Sequence, residues 1–276
     1  MSKACSLGLG AAGSPSLRPY GRRIAADTGA ARGDYDTMPR VEQLLHLAQM
    51  HYDDREYAKA RQMYGLADHE ADQGHAIAQF CLGLLHELGQ GGPQDHVEAR
   101  RWYGLAADQG YAKAQGNLGI MHEQGQGGPQ DDAAARRWYG LAADQGLAEA
   151  QNNLGVMHKQ GQGGPQDYAA ARRWYGLAAD QGDVYAQYNL GVMHDQGQGG
   201  PQDDAAARRW FGLAADQGYP LALLARSALD ALLERESQRA AEAASAADAA
   251  REAVELALTA ALDAGDLAGL KAWKLE

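Results

Sequence analysis

The chain has 276 residues, 45% of them hydrophobic, with a formal net charge of −11 and a pI of about 5.2. This acidic balance argues against nonspecific binding to nucleic acid or anionic membranes, because both require a basic surface. No apolar run reaches the length of about 18 residues that a transmembrane helix needs. Cys5 and Cys81 are the only cysteines, so a disulfide-rich extracellular fold is also excluded.

Residues 1–38 are rich in Gly, Ala, Ser and Pro and have no hydrophobic periodicity, which predicts a disordered N-terminal extension. Residues 1–26 carry four basic side chains and no acidic one, so an organelle-targeting peptide is an alternative interpretation. We otherwise expect a cytoplasmic protein.

The middle of the chain repeats one unit of 36 residues. It occurs at 111–146, 147–182 and 183–218, and more loosely at 75–110. The first two of these copies differ at only six positions. A fixed period of this length is typical of stacked repeats rather than of a closed globular domain. A shorter, irregular copy at 39–74 is expected of a terminal repeat and brings the predicted number of hairpins to five.

Each unit predicts two helices. In the copy at 111–146, residues 112–124 contain no proline and place Ala114, Leu118 and Met121 on one face, which predicts an amphipathic helix A. Gly125 follows at the position where a glycine ends a helix. One such hairpin cannot bury its own apolar stripe, so neighbouring copies must stack on each other.

The second helix of the unit, helix B, follows a Gly-Gly-Pro connection at 127–129. Asp131 or Asp132 stands at its N-cap position. Its apolar face has helical spacing and consists of Ala135, Trp138, Tyr139 and Ala142.

Residues 219–276 break the repeat signature. Pro220 suits the first position of a helix, and residues 221–264 contain neither glycine nor proline. This stretch predicts either one long alanine-rich helix or two helices with a bend near Ser237, followed by Gly265 and a short tail. Capping of the last exposed apolar face is the simplest role, and coiled-coil dimerisation is the alternative.

These motifs resemble the Sel-1-like repeat, a branch of the tetratricopeptide superfamily. The resemblance is close over 75–218 and looser over 40–74. The signature residues in one copy are Ala114, Leu118, Gly119, Gly125, Ala135, Trp138, Tyr139, Ala142, Ala143 and Gly146. The resemblance implies an all-α fold, a right-handed α-α superhelix or solenoid, used as an interaction scaffold.

Two departures from the family pattern recur. Histidines 86, 122, 158 and 194 stand where the family usually has tyrosine, and glycines 104, 140, 176 and 212 stand where it often has a basic residue. Close packing is the only explanation that the sequence offers for these glycines, which cost about 1 kcal/mol each relative to alanine.

The copies differ mainly at four positions of helix A, spaced by 3, 4 and 3 residues. These positions share one helical face, and in solenoids of this family helix A lines the concave side. We therefore predict that this face binds an extended peptide or a partner helix. The predicted contact residues are Ile77, Phe80, Leu84, Glu87, Lys113, Ile120, Glu123, Glu149, Asn152, Val156, Lys159, Tyr185, Tyr188, Val192 and Asp195. A solvated face that tolerates variation is the alternative.

Other recurring residues give no cofactor or metal site. The histidines lie one repeat apart, about 8–10 Å, whereas ligands of one zinc lie about 2.0–2.1 Å from it, so a structural role is expected. The GQGGPQD loops lack the lysine and the preceding strand of a phosphate loop. The arginine pairs of helix B, at 100/101, 136/137, 172/173 and 208/209, favour a solvated face over an acidic-ligand groove.

The sequence therefore predicts a noncatalytic scaffold or adaptor, with a protein or peptide partner, no nucleic acid, no membrane and a monomeric state. A structural or self-assembling spacer is the alternative. A β-lactamase-like hydrolase is a remote alternative, since some cysteine-rich relatives are described as hydrolysing β-lactams. This chain lacks their paired cysteines and a serine–lysine arrangement.

Overall fold

The computed structural model describes residues 38–71 and 74–263, and all regular secondary structure within them is α-helical. The all-α prediction is therefore confirmed. The predictions for residues 1–37, for the targeting peptide and for the tail after Asp263 lie outside the described residues. The chain folds as two compact units that divide between Ala178 and Ala179.

The first unit consists of alternating A and B helices. They are α1 Arg40–Asp53, α2 Tyr57–Glu70, α3 Ala76–Leu88, α4 His96–Asp108, α5 Ala112–Gln124, α6 Asp132–Asp144, α7 Ala148–Gln160 and α8 Tyr168–Asp180, whose last two residues belong to the second unit. The second unit continues with α9 Val184–Asp195 (helix A), α10 Asp204–Asp216 (helix B) and α11 Pro220–Asp263. Residues 220–263 thus form one helix, without a bend that divides it at Ser237.

Capping residues set the ends of the helices. Asp131, rather than Asp132, is the N-cap of α6 and accepts a hydrogen bond from the backbone N–H of Ala134. Gly125 ends α5 in the left-handed conformation, with φ of 67°, which glycine adopts without strain. The predicted start and end signals of the repeat are therefore correct.

The cores join neighbouring repeats. One core joins buried residues of α4, among them Tyr103, to Leu118 and Met121 of α5. Trp138 of α6 packs against this same core, and Trp174 packs against the next one. Each repeat therefore supplies the apolar surface that its neighbour needs, as predicted for stacked hairpins.

A buried glutamine fixes the register between neighbours. Gln115 of α5 is 4% exposed, and its Nε2 donates a hydrogen bond to the carbonyl oxygen of Ala107 in the previous helix B. Its Oε1 accepts a hydrogen bond from Gln145 at the end of its own repeat. Gln151 repeats the bond to the preceding helix B through Ala143. These bonds satisfy a polar group that would be costly to bury alone.

The long helix α11 begins in register with the repeats. Ala222 and Leu229 are buried, and they lie 36 residues after Ala186 and Met193, two buried residues of α9. Asp230 lies 36 residues after His194 and forms an ion pair with Arg208, 2.6 Å from Nε to Oδ1. The first turns of α11 therefore cap the last repeat as an additional helix A.

Candidate interaction surface

The predicted binding face is only partly open to solvent. Of its fifteen residues, Glu149 and Tyr185 are exposed, and the other thirteen are half-buried. Tyr185 is the most open aromatic residue of the set, at 47% exposure. We call the four variable positions of helix A, taken together, the helix A face.

Aromatic rings cluster on the helix A face at α3. Phe80 lies with its ring centroid 5.6 Å from that of Tyr103 and 5.2 Å from that of Tyr111. Tyr103 belongs to helix B of the same repeat, whereas Tyr111 is the first residue of the next repeat. Phe80 therefore contributes to the packing between two repeats as well as to the surface.

A second aromatic cluster lies within the second unit. The ring of Tyr188 contacts those of Phe211 and Tyr219, at 5.7 and 5.2 Å between centroids. Tyr185 contacts Tyr219 at 5.6 Å. Burial and the neighbouring tyrosines raise the pKa of Tyr219. This cluster combines the exposed ring of Tyr185 with rings that are held in place by packing.

The predicted site omits the first residue of the repeat, which lies against the helix A face of the preceding repeat at Tyr111, Leu147 and Tyr219. Tyr111 and Tyr219 lie against Phe80 and Tyr188, and at the matching position of α5 a Cβ on Gly116 would stand 3.2 Å from Leu147. The large first residue of one repeat thus lies against the sixth residue of the preceding repeat, which is either aromatic or glycine. The sequence contained a signal for this contact, because the first residue of the repeat varies between copies as much as the helix A positions do.

Two acidic residues of the helix A face, Glu87 and Glu123, have partners inside their own repeats. Glu87 accepts a hydrogen bond of 2.6 Å from the hydroxyl of Tyr103, and Glu123 accepts one of 2.7 Å from Tyr139. Burial, followed by the nearby carboxylate, raises the pKa of Tyr139, so this hydroxyl is the donor. Lys159 occupies the same position in α7, where burial lowers its pKa.

The histidine column and the arginine pairs form a contact between repeats. Arg100 of α4 lies with Nη2 2.7 Å from Nδ1 of His122 in the next helix A, and Arg136 makes the same contact with His158. Burial, followed by the adjacent arginine, lowers the pKa of His122 and of His158. These histidines therefore remain neutral acceptors at neutral pH, in agreement with the structural role predicted for them.

The prediction that the arginine pairs form a solvated face is wrong for Arg100 and Arg136. Arg100 and Arg136 are half-buried, and each donates from Nη1 to two loop carbonyls of the next repeat. The second glycine of each Gly-Gly-Pro loop leaves the space that this guanidinium occupies, since a Cβ on Gly128 would collide with Arg100. The second arginines, in contrast, are exposed and lie over the adjacent tryptophan, as Arg137 does at 5.0 Å.

The explanation offered for the helix B glycines is also wrong. A Cβ at Gly104, Gly140 or Gly176 would meet no heavy atom within 4 Å, so packing inside the chain does not require these glycines. The glycine of helix A is different, because a Cβ on Gly119 would stand 2.7 Å from the ring of Tyr139.

Within residues 38–71 and 74–263, no three His, Cys, Asp or Glu side chains lie close enough to hold a metal ion. In the same part of the chain, no helix is both long and apolar enough to cross a membrane. Cys81 is buried, and burial raises the pKa of its thiol to about 12, so this side chain is packed as a small apolar group.

Four consecutive segments match the family model described as Sel1 repeat, at residues 76–111, 112–147, 148–183 and 184–219. The chain is 32% identical to a protective antigen present in uropathogenic Escherichia coli strains that displays an SLR fold, with a TM-score of 0.65. That match covers 75% of this chain and 42% of the antigen. A Sel1 repeat protein from Oxalobacter formigenes is 33% identical, with 66% of this chain and 74% of that chain covered and a TM-score of 0.61. A search of curated proteins gives no match.

Proposed function

The chain belongs to the Sel1 repeat family, and from this premise we propose that it is a noncatalytic scaffold that binds a protein partner on its helix A face. Sel1 repeat proteins have an all-α solenoid fold and are generally protein-interaction scaffolds. The particular surface and the kind of partner are our proposal.

The observation that carries this proposal is the position of the differences between the copies. Helix B and the loop are almost identical from one copy to the next, whereas four positions of helix A differ in size and charge. The differences on helix A include changes from glycine to aromatic residues and reversals of charge. A surface that contacts a different part of a partner in each repeat accounts for differences that lie mainly on helix A and at the residue just before it.

The second unit offers the best anchor for a partner. Tyr185 is nearly half exposed, and its neighbours Tyr188 and Tyr219 are ordered by ring contacts. A rigid aromatic surface loses little conformational entropy on binding, and aromatic anchors supply much of the energy of protein interfaces. An apolar side chain from a partner helix or an extended peptide would pack against these rings.

The helix A positions of the first unit would contribute specificity more than affinity. Glu149 is exposed in α7, while Glu87 and Glu123 already accept hydrogen bonds from buried tyrosines. A partner cation would approach the open side of these carboxylates without replacing the tyrosine. Such rim charges fix the register of a bound peptide and change the association rate.

Site-specific photocrosslinking tests this proposal. A photoreactive phenylalanine analogue at position 185 should crosslink a defined protein from native lysate. The same analogue at Leu256, an exposed apolar side chain of α11 with 70% exposure, is the matched control. Tyr185→Ala should abolish capture without affecting the melting temperature, because the side chain of Tyr185 is 47% exposed and contributes little to the core. Equal crosslinking at both positions would refute the helix A face as the binding surface.

A structural or self-assembling spacer is the second candidate function. The observation in its favour is the length of α11, whose described side chains from Glu234 to Ala260 are all exposed. Light scattering of the purified chain, with and without α11 after Leu233, distinguishes this candidate from partner binding through helix A.

Catalysis is not part of the proposal, because the Sel1 repeat family is generally noncatalytic. Turnover of nitrocefin by the purified chain would revive the hydrolase alternative. We also propose a cytoplasmic location for the chain.

A further inference from the structure

The exposed side of helix B carries a repeated arrangement that the proposed function does not use. In α6 it consists of Arg137, Gly140, Leu141 and Asp144, which fall on one side of the helix at steps of three, one and three residues. The buried residues Tyr139 and Ala142 lie on the opposite side. We call this set of four positions the helix B outer face.

The leucine of this face is open to solvent in all three full-length repeats of the first compact unit. Leu105, Leu141 and Leu177 are 40%, 43% and 44% exposed. Next to each leucine stands a glycine, Gly104, Gly140 and Gly176, where a Cβ would meet nothing. The helix backbone is thus accessible beside an exposed leucine, which permits an approaching helix to come closer than the usual 8–10 Å.

The arginine of the helix B outer face is held in place by stacking on the neighbouring tryptophan. Arg137 lies over Trp138, with its guanidinium carbon 5.0 Å from the ring centroid, and no ion pair joins it to another residue of the described chain. Arg101 has the same stacking on Trp102 in α4, at 4.9 Å, although it also pairs with Glu98. This stacking restricts the arginine before any partner arrives, which reduces the entropy lost on binding.

We propose that the helix B outer face binds the same face of a second copy of the chain, with the two helices antiparallel. Arg137 and Asp144 lie at equal distances from the midpoint between Gly140 and Leu141, about 5 Å along the helix axis. A two-fold axis through this midpoint places Arg137 of each copy opposite Asp144 of the other. Leu141 of each copy then packs over Gly140 of the other.

Helix α4 has the same geometry, so the proposed contact between two copies occurs there a second time. Arg101, Gly104, Leu105 and Asp108 have the spacing of the α6 set, so the two helices present the same order of charges. A parallel alignment would place arginine opposite arginine. Only the antiparallel alignment pairs opposite charges twice in each contact, and isologous pairing of this kind is the commonest form of homodimer. This inference departs from the monomer expected from the sequence.

Charge reversal tests the pairing, with the full chain measured by sedimentation velocity over a range of concentrations. The wild type should show a reversible monomer–dimer equilibrium. Arg101→Asp with Arg137→Asp should raise the dimer dissociation constant by about tenfold or more, because it places like charges opposite each other. Asp108→Arg with Asp144→Arg should have the same effect for the same reason. Circular dichroism should show an unchanged helix content in both variants.

Mixing provides the decisive experiment. The first double variant carries only acidic residues at these positions and the second only basic ones, so an equimolar mixture should form a heterodimer. Combining all four changes in one chain should restore self-association to within about threefold of the wild type. Gly140→Leu should weaken the dimer and leave the fold intact, because it blocks the close approach of the helices. A monomeric wild type, or a dimer indifferent to charge reversal and to mixing, would overturn the proposal.

Discussion

The two kinds of helix glycine predict opposite effects of the same substitution. Gly140 lies in the middle of α6 with open space around the Cβ position, whereas Gly119 lies in α5 under the ring of Tyr139. Alanine at position 140 should therefore stabilise the fold by restricting the unfolded chain and favouring the helix. Alanine at position 119 should destabilise it, because the added methyl group would stand 2.7 Å from the ring.

The magnitudes follow from this geometry. Replacing a helix-interior glycine with alanine at an open site contributes about 0.8–1 kcal/mol. Gly104→Ala, Gly140→Ala and Gly176→Ala together should add about 2.5 kcal/mol, since the sites are separate and share no partner. For about 225 ordered residues this corresponds to an increase in melting temperature of about 5 °C. Overpacking at Gly119 should cost about 1–3 kcal/mol.

Thermal unfolding followed by circular dichroism measures both effects at a concentration where the chain is monomeric. The triple variant at 104, 140 and 176 should melt above the wild type, and Gly119→Ala should melt below it. Loss of stability in the triple variant would refute this prediction, since it would mean that the helix B outer face packs against another part of the same chain. A neutral effect of Gly119→Ala would refute it as well.

Three further predictions concern the contacts between and within repeats. Burial and the adjacent arginine lower the pKa of His122 and His158, so below about pH 6.5 the unfolded chain binds more protons than the folded chain. The free energy of unfolding should therefore fall on acidification. Changing both histidines to Gln should reduce the dependence of the unfolding free energy on pH, measured by urea titrations from pH 7 to 5. Tyr139→Phe should cost about 1–2 kcal/mol in chemical unfolding because it removes the hydrogen bond to Glu123, while Tyr175→Phe, whose repeat has Lys159 in place of the glutamate, should cost less. Asp230→Ala should lower the melting temperature slightly, by the loss of an ion pair worth about 1 kcal/mol or less, and Asp230→His should recover part of the loss.

The helices and the boundaries of the repeats were predictable from the sequence because the signals are local. Gly125 and Asp131 end and begin helices through their own backbone and side-chain chemistry. The stacking followed from the apolar stripes, since the stripe of α5 with Leu118 and Met121 is buried against helix B of the preceding repeat. Three near-identical copies and a looser fourth gave each of these signals several times.

Contacts between repeats were harder to predict. Arg100 and Arg101 are adjacent and chemically identical in the sequence, yet the first is bound to the next loop and the second lies on tryptophan. The difference comes from a rotation of about 100° along the helix, which decides whether a side chain faces the neighbouring repeat. Gly119 and Gly140 likewise look alike in the sequence, and only the position of Tyr139 separates them.

The predicted binding residues remain a proposal. Variation between copies indicated the helix A face, but it did not reveal that Glu87 and Glu123 also serve the fold or that Tyr111 lies against Phe80. Paired variation of the sixth residue of one repeat and the first residue of the next repeat contains this information. Four copies are too few to separate that packing signal from a binding signal.

Deleting one complete repeat tests the central claim, that each hairpin depends only on its neighbours. Removing residues 111–146 joins Gly110 to Leu147 and brings α4 next to α7, which supplies the same leucine, methionine, glutamine and histidine positions that α5 supplied. The shortened chain should remain folded, with a cooperative thermal transition and helix content reduced in proportion to the loss of α5 and α6. An unfolded or aggregated product, with the parent chain well folded under the same conditions, would contradict this account.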